Sequence, residues 1–280
     1  MSGLERRAAP TGLHPGDHVC WAFAGDSAFG AAARAFLDEG RQRGEQLLLV
    51  GSSPAALHAT LDGLPERDEL IRSGRLEVVT TDEAYGGQRT FDPVEQVEVY
   101  RARVDAALRA GRTGFRVAAD VSALAAGDTA ARRGLHVYEQ LADARIGAVP
   151  MTALCLYDAA LDDPVLAPLA VLHPGQHHGD SEPLVHLSGR GAWLALHGEV
   201  DADLADAVAV ALFDVASRTP GEVVLDLAEL EFLDVAGGRM LHRTVQRLAD
   251  VGVRLRLVRP RRLTAQVLGL FGLTPDEVPA

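Results

Sequence analysis

Apolar runs and polar gaps alternate along the first 175 residues in the rhythm strand, helix, strand. Short apolar runs at 17–23, 46–50, 76–80, 114–121 and 151–157 predict five strands. The run Gln46-Leu47-Leu48-Leu49-Val50 is apolar almost throughout, not alternating, as in a strand covered on both faces. Between the strands, Val94, Val97, Tyr100, Val104 and Leu108 recur at spacings of three and four, which places them on one face of a helix. Asp92 is the expected N-cap of that helix and Pro93 its first residue. Ser53 and Pro54 open another helix in the same way, after a Gly51-Ser52 turn whose amides could also hold an anion. This order predicts an α/β unit with a mostly parallel sheet and helices on both faces.

The pattern lapses at Val171-Leu172-His173-Pro174-Gly175-Gln176-His177-His178-Gly179-Asp180-Ser181. Pro, Gly and polar residues cluster there, which predicts a linker over 176–182 between units at 14–175 and 183–280. Its three histidines have no Cys or acid at ligand spacing, so a solvated linker is expected, and no metal site. The first 13 residues read as a loose tail. In the second unit, runs at 184–187 and 193–197 flank a hairpin-like Ser188-Gly189-Arg190-Gly191. The order β-β-α-β-α-β-α follows, a small mixed sheet with helices.

Charge and composition then remove function classes. The chain has 280 residues, 39 acids against 27 basic residues, and a net charge of −12. Both units are acidic, which argues against nucleic-acid binding. Every basic residue is Arg; without Lys there is no phosphate-loop NTPase, protein kinase or Schiff-base chemistry. Two cysteines, Cys20 and Cys155, exclude a disulfide framework. No apolar run approaches a membrane span, and Met1-Ser2-Gly3-Leu4-Glu5-Arg6-Arg7 lacks a signal-peptide core, so a cytoplasmic location with no membrane is expected.

In the second unit, Gly198-Glu199-Val200-Asp201, Val223-Val224-Leu225-Asp226-Leu227, Phe232-Leu233-Asp234-Val235-Ala236-Gly237-Gly238 and the terminal Val267-Leu268-Gly269-Leu270-Phe271-Gly272-Leu273 resemble a STAS domain. That is the fold of bacterial anti-sigma-factor antagonists. The resemblance implies partner binding at Asp234, Val235, Ala236, Gly237 and Gly238, with an anti-sigma factor of the ATP-binding serine-kinase type as partner. Asp234 can cap the following helix, and the two glycines reduce bulk toward a partner. Phosphoswitched members carry Ser or Thr after the Asp; Val235 and Ala236 cannot accept phosphate, so constitutive binding or gating by the first unit is expected.

In the first unit, His18-Val19-Cys20, Gly44-Glu45, Gly114-Phe115-Arg116-Val117 with Asp120, Tyr138-Glu139, and Cys155-Leu156-Tyr157-Asp158 before His173-Pro174 resemble the MEDS sensory domain. This resemblance implies a RecA-like three-layer fold without a working phosphate loop. His18 and Cys20 alternate onto one strand face. His18, Cys20, Asp120, Cys155 and Tyr157 are the ligand-sensing candidates, as one pocket for a small molecule. Buried core cysteines, or a thiol or metal sensor, are the competing readings. Asp120 also fits a plain cap of the turn at Ser122.

The expected function is a non-enzymatic signalling regulator with no cofactor and no catalytic residue. It would couple a sensory input to a STAS output through a docked interface, with homo-oligomers also allowed. The alternatives are a degenerate RecA-like nucleotide-binding enzyme, told apart by turnover against Asp120→Ala, and a STAS-based scaffold, told apart by high-order oligomers.

Overall fold

Gln46–Gly51 is buried along its whole length, as a strand between two helical layers must be. The computed structural model describes residues 5–6, 10–86, 91–177 and 185–276. The first unit runs β1 (Glu5–Arg6), β2 (His18–Phe23), α1 (Gly25–Arg43), β3 (Gln46–Gly51), α2 (Pro54–Thr60), α3 (Arg67–Arg72), β4 (Leu76–Thr80), α4 (Thr81–Tyr85) and α5 (Pro93–Arg109). It continues with β5 (Phe115–Asp120), α6 (Ser122–Ala125), α7 (Thr129–Ile146), β6 (Met151–Asp158), α8 (Asp163–Val171) and β7 (Gly175–His177). The second comprises β8 (Val185–Arg190), β9 (Trp193–Val200), α9 (Ala205–Ala216), β10 (Gly221–Asp226), β11 (Leu230–Leu233), α10 (Val235–Asp250), β12 (Val253–Val258) and α11 (Arg262–Gly269).

The first sheet has the order β1-β7-β2-β6-β5-β3-β4, and every pairing in it is parallel. One face packs Phe29, Phe36 and Leu37 of α1 and Leu57 of α2 on Leu47, Leu49, Leu154 and Leu156. The other packs Tyr100 and Val104 of α5 and Leu135 and Tyr138 of α7 on Val117, Ala119, Cys155 and Tyr157. The first unit is therefore the three-layer α/β unit expected, and the second has a mixed sheet of order β11-β9-β10-β12, whose pairings are parallel, with β8 antiparallel on β9.

Local signals work as read. Asp92 accepts from Val94 N and Glu95 N, and Ser53 accepts from Ala56 N. The α5 face is displaced from the expected one: Val97, Tyr100 and Val104 are buried, whereas Val94 and Leu108 are exposed and Gln96 and Ala107 take their place.

Three strands depart from the sequence reading. Glu5–Arg6, read as tail, pairs with Gly175–Gln176, and Leu13 is fully buried. Gly175–His177 forms β7 on the edge of β2, so residues 176 and 177 belong to the sheet and not to a linker. The rest of that stretch, 178–182, lies outside the described residues. Leu230–Leu233, for which the order β-β-α-β-α-β-α gave no strand, adds β11 along the end of β9.

The two units are docked. Val171 and Leu172, from the end of α8, belong to the second unit's own hydrophobic core with Val185, Leu187, Val208 and Leu212. Arg116 anchors the opposite side of the first unit. Its guanidinium is fully buried, Nε 2.5 Å from Glu45 Oε2, Nη1 3.2 Å from Glu39 Oε2, Nη2 donating to Leu13 O at 2.9 Å.

Candidate functional site

Strand alternation sends His18, Cys20, Cys155 and Tyr157 to the α7 face of the first sheet. Register sets Cys20 directly beside Cys155; both are buried and neither is in a disulfide. His18 and Cys155 meet, with Nε2 3.4 Å from Sγ. Two residues outside the expected candidates complete the group. Glu139 reaches in from α7, its Oε2 3.3 Å from His18 Nε2 and 3.8 Å from Cys155 Sγ. His173, in the turn between α8 and β7, places Nε2 3.6 Å from the same oxygen. One ligand-type atom from each of the four residues lies within 4.8 Å of all the others, and all four residues are buried.

An outer ring holds these side chains. The Tyr157 hydroxyl donates to Glu139 Oε1 at 2.7 Å. His173 Nδ1 sits 2.8 Å from Leu169 O, and a carbonyl only accepts, so this nitrogen carries the proton. His18 Nδ1 faces Asp143 Oδ1 at 3.5 Å. Asp143 in turn faces His186 Nε2 of β8 at 3.2 Å, and the His186 ring stacks on His197.

Burial and charge act against each other here. Burial alone would raise Glu139, but His18, His173 and Tyr157 outweigh it and hold its pKa below the usual carboxylate range. Asp143 is held well below that range, His18 and His186 overcoming its burial. Burial opposes charge on His18, yet the acidic groups around it keep its pKa raised. Burial, then the charge of His18, lowers His173 to about 4, and burial with Glu139 lifts Cys155 to about 11. His173 is thus a neutral imidazole and Cys155 a thiol near neutral pH.

Asp120 does not join this group. It shares alternation with Arg116 and Ala118 and so lies on the opposite face, at the carboxyl end of β5. There it accepts from Ser122 N at 3.0 Å and borders a cleft of about 290 Å³ with Phe23, Asp26, Arg34, Gly51 and Ser52. Burial raises its pKa. The single pocket expected from the sequence is therefore two separate places. Glu139 and His173 had a sequence signal: an acid four residues after Leu135 on the buried stripe of α7, and a His just before Pro174.

In the second unit, Asp234 caps α10, accepting from Gly237 N at 2.7 Å. Phe232 and Val235, on either side of it in sequence, are 48% and 51% exposed. Ala236 stands in the first turn of α10. The expectation that Gly237 and Gly238 reduce bulk toward a partner is not met: both face their own domain. A Cβ at Gly237 would lie 2.5 Å from Leu233 Cδ1, and one at Gly238 2.8 Å from Val267 Cγ1 and Phe271 Cε2. Their lack of bulk lets α10 lie against its own domain.

α7 spans both units. Glu139 points into the buried group, while His136 Nδ1 lies 2.8 Å from Asp214 Oδ2 of α9 and Gln140 donates to Gly189 O of β8. Arg133 adds a bond to Asp214 at 3.0 Å. Burial raises the Asp214 pKa, but His136 and Arg133 prevail and set it below the ordinary value. A depressed carboxylate contributes stability above its unfolded pKa of about 4 and loses it as pH falls through the folded value. Urea midpoints at a series of pH values should therefore separate the native chain from Asp214→Asn most widely above about pH 5. The gap should close toward pH 3, whereas a constant gap would deny the carboxylate this role.

Among the described residues, no helix is long and apolar enough to cross a membrane. Residues 17–174 match the family model described as MEDS, the MEthanogen/methylotroph, DcmR Sensory domain. Residues 184–275 match the model described as Mlab, STAS domain. No curated protein matches the chain.

Proposed function

This chain belongs to the MEDS sensory-domain family and carries a STAS domain behind that module, and on this premise we propose a non-enzymatic regulator that passes an input at the His18–Glu139–Cys155–His173 group to a partner-binding surface. The observation that carries the reading is α7. One stiff helix holds Glu139 inside the group and His136 and Gln140 against the STAS domain, so a change at Glu139 need not cross a linker to reach the second unit. A helix of this kind biases both sites together, which is what coupling between sites requires.

The output partner is an anti-sigma factor of the ATP-binding kinase type. It would dock on Phe232, Asp234, Val235 and Ala236, where apolar side chains stand exposed beside the α10 cap. Val235 and Ala236 offer no hydroxyl for phosphate, so control falls to the first domain. The whole chain, immobilised in a lysate of the source cells, is expected to retain such a kinase. Val235→Asp should lose it about a hundredfold, because a carboxylate at the contact costs about 3 kcal/mol. Absence of the kinase, or equal capture by both proteins, defeats this output.

A further inference from the structure

The four side chains His18, Glu139, Cys155 and His173 have an arrangement that hydrogen bonding among themselves does not account for. His173 Nε2 is buried, aims at the group, and has no hydrogen-bond partner. Its Nδ1 proton is committed to Leu169 O, so the lone pair of Nε2 faces inward. The separations between neighbouring donors are 3.3, 3.4, 3.6 and 3.8 Å. Metal–ligand bonds of about 2.0–2.3 Å in a tetrahedron place the ligand atoms roughly 3.3–3.7 Å apart.

We propose that His18 Nε2, Glu139 Oε2, Cys155 Sγ and His173 Nε2 form a closed tetrahedral site for a divalent transition-metal ion, with zinc the best match. Two imidazoles, a thiolate and a carboxylate are borderline donors, suited to zinc, cobalt or iron and not to calcium or magnesium. On binding, the Cys155 thiol proton and the proton on His18 Nε2 leave to solvent, and thiolate plus carboxylate then neutralise the dication, so the buried centre carries no net charge. The outer ring is already in place: the Leu169 carbonyl orients His173, Tyr157 orients Glu139, and Asp143 faces the far nitrogen of His18. Four protein ligands leave no open position, which suits a structural or sensing ion and not a hydrolytic one. Asp143 also faces His186 of the STAS domain, so the ion is tied to the join between the domains. That the ion is the regulator's input rests on the function proposed above; the site itself rests on geometry.

The test uses the whole chain, stripped with a chelator and titrated with Co(II). One equivalent should bind, with the intense visible bands of tetrahedral Co(II) and a thiolate-to-metal charge-transfer band, and Zn(II) should displace both. Cys155→Ser should abolish the charge-transfer band, while Cys20→Ser, whose sulfur is outside the donor set, should retain it. Tyr157→Phe keeps all four donors and should weaken binding about tenfold to a hundredfold. Circular dichroism checks each variant for folding. If the native chain binds no stoichiometric Co(II), or binds it without the sulfur band, the site is refuted and the regulator reading stands untouched. If the bands appear but kinase capture is the same with and without metal, the ion is not the input, although the site stands.

Discussion

Arg116→Met should destabilise the first domain by about 3–5 kcal/mol, a large share of the roughly 5–15 kcal/mol that holds an ordinary domain folded. The guanidinium is fully buried and serves Glu45, Glu39 and the carbonyls of Phe36 and Leu13 at once. It also lies 4.6 Å from the Phe36 ring centre. Removing it leaves Glu45, itself buried, as a charge without its counterion. Adding Glu45→Gln to Arg116→Met should therefore restore part of the loss, the reverse of what two independent lesions would do. Arg101 provides the contrast, because its pairs with Glu98 and Asp105 are exposed and screened by solvent, so its removal should leave the unfolding midpoint near that of the native chain. Urea unfolding of Arg116→Met, the double variant and Arg101→Met reads all three. Equal losses for Arg116→Met and Arg101→Met would contradict the argument.

Leu172→Ala is expected to cost about 2–5 kcal/mol and to change the form of unfolding as well as its midpoint. Leu172 is fully buried, and its neighbours include the core of the second domain. The native chain should unfold in one transition, because neither domain keeps its packing when the other leaves. With a cavity at residue 172 the join weakens, and two transitions should separate. Leu48→Ala, in the sheet of the first domain, should cost a similar amount while keeping a single transition. Calorimetry distinguishes the two patterns.

What was legible in the sequence followed from local chemistry. Asp92-Pro93 and Ser53-Pro54 mark helix starts because cap and proline act within one turn. The all-apolar strand Gln46–Gly51 announces its two covered faces. β7 was not legible, because Gly175-Gln176-His177 has no strand character of its own. It is ordered by the edge of β2 and by the Gln176 side chain, which donates to His173 O and Val185 O. At the site, alternation paired His18 with Cys20 correctly, and the same rule separates Asp120 from Cys155 once strands β5 and β6 are set in register. Glu139 and His173 come from a helix and a turn, so only tertiary packing brings them to the strand residues. In the STAS domain, the resemblance alone pointed to Val235 as part of a partner-binding surface, whereas the internal demand on Gly237 and Gly238 depends on Leu233, Val267 and Phe271 folding over them.

Modular regulators are commonly pictured as cassettes that recombination can cut and rejoin at domain edges. Here the tidy cut would fail. A fragment beginning at Val185 would leave behind Val171 and Leu172, and with them two side chains of its own interior. The vacated hollow would present Leu187, Val208 and Leu212 to water, an adhesive patch on a small domain. A fragment that starts at Asp163 carries α8 along and keeps the hollow filled. Inheritance of this STAS domain by another sensor therefore requires the donor's last helix to travel with it, or a new helix with apolar residues in the same two places.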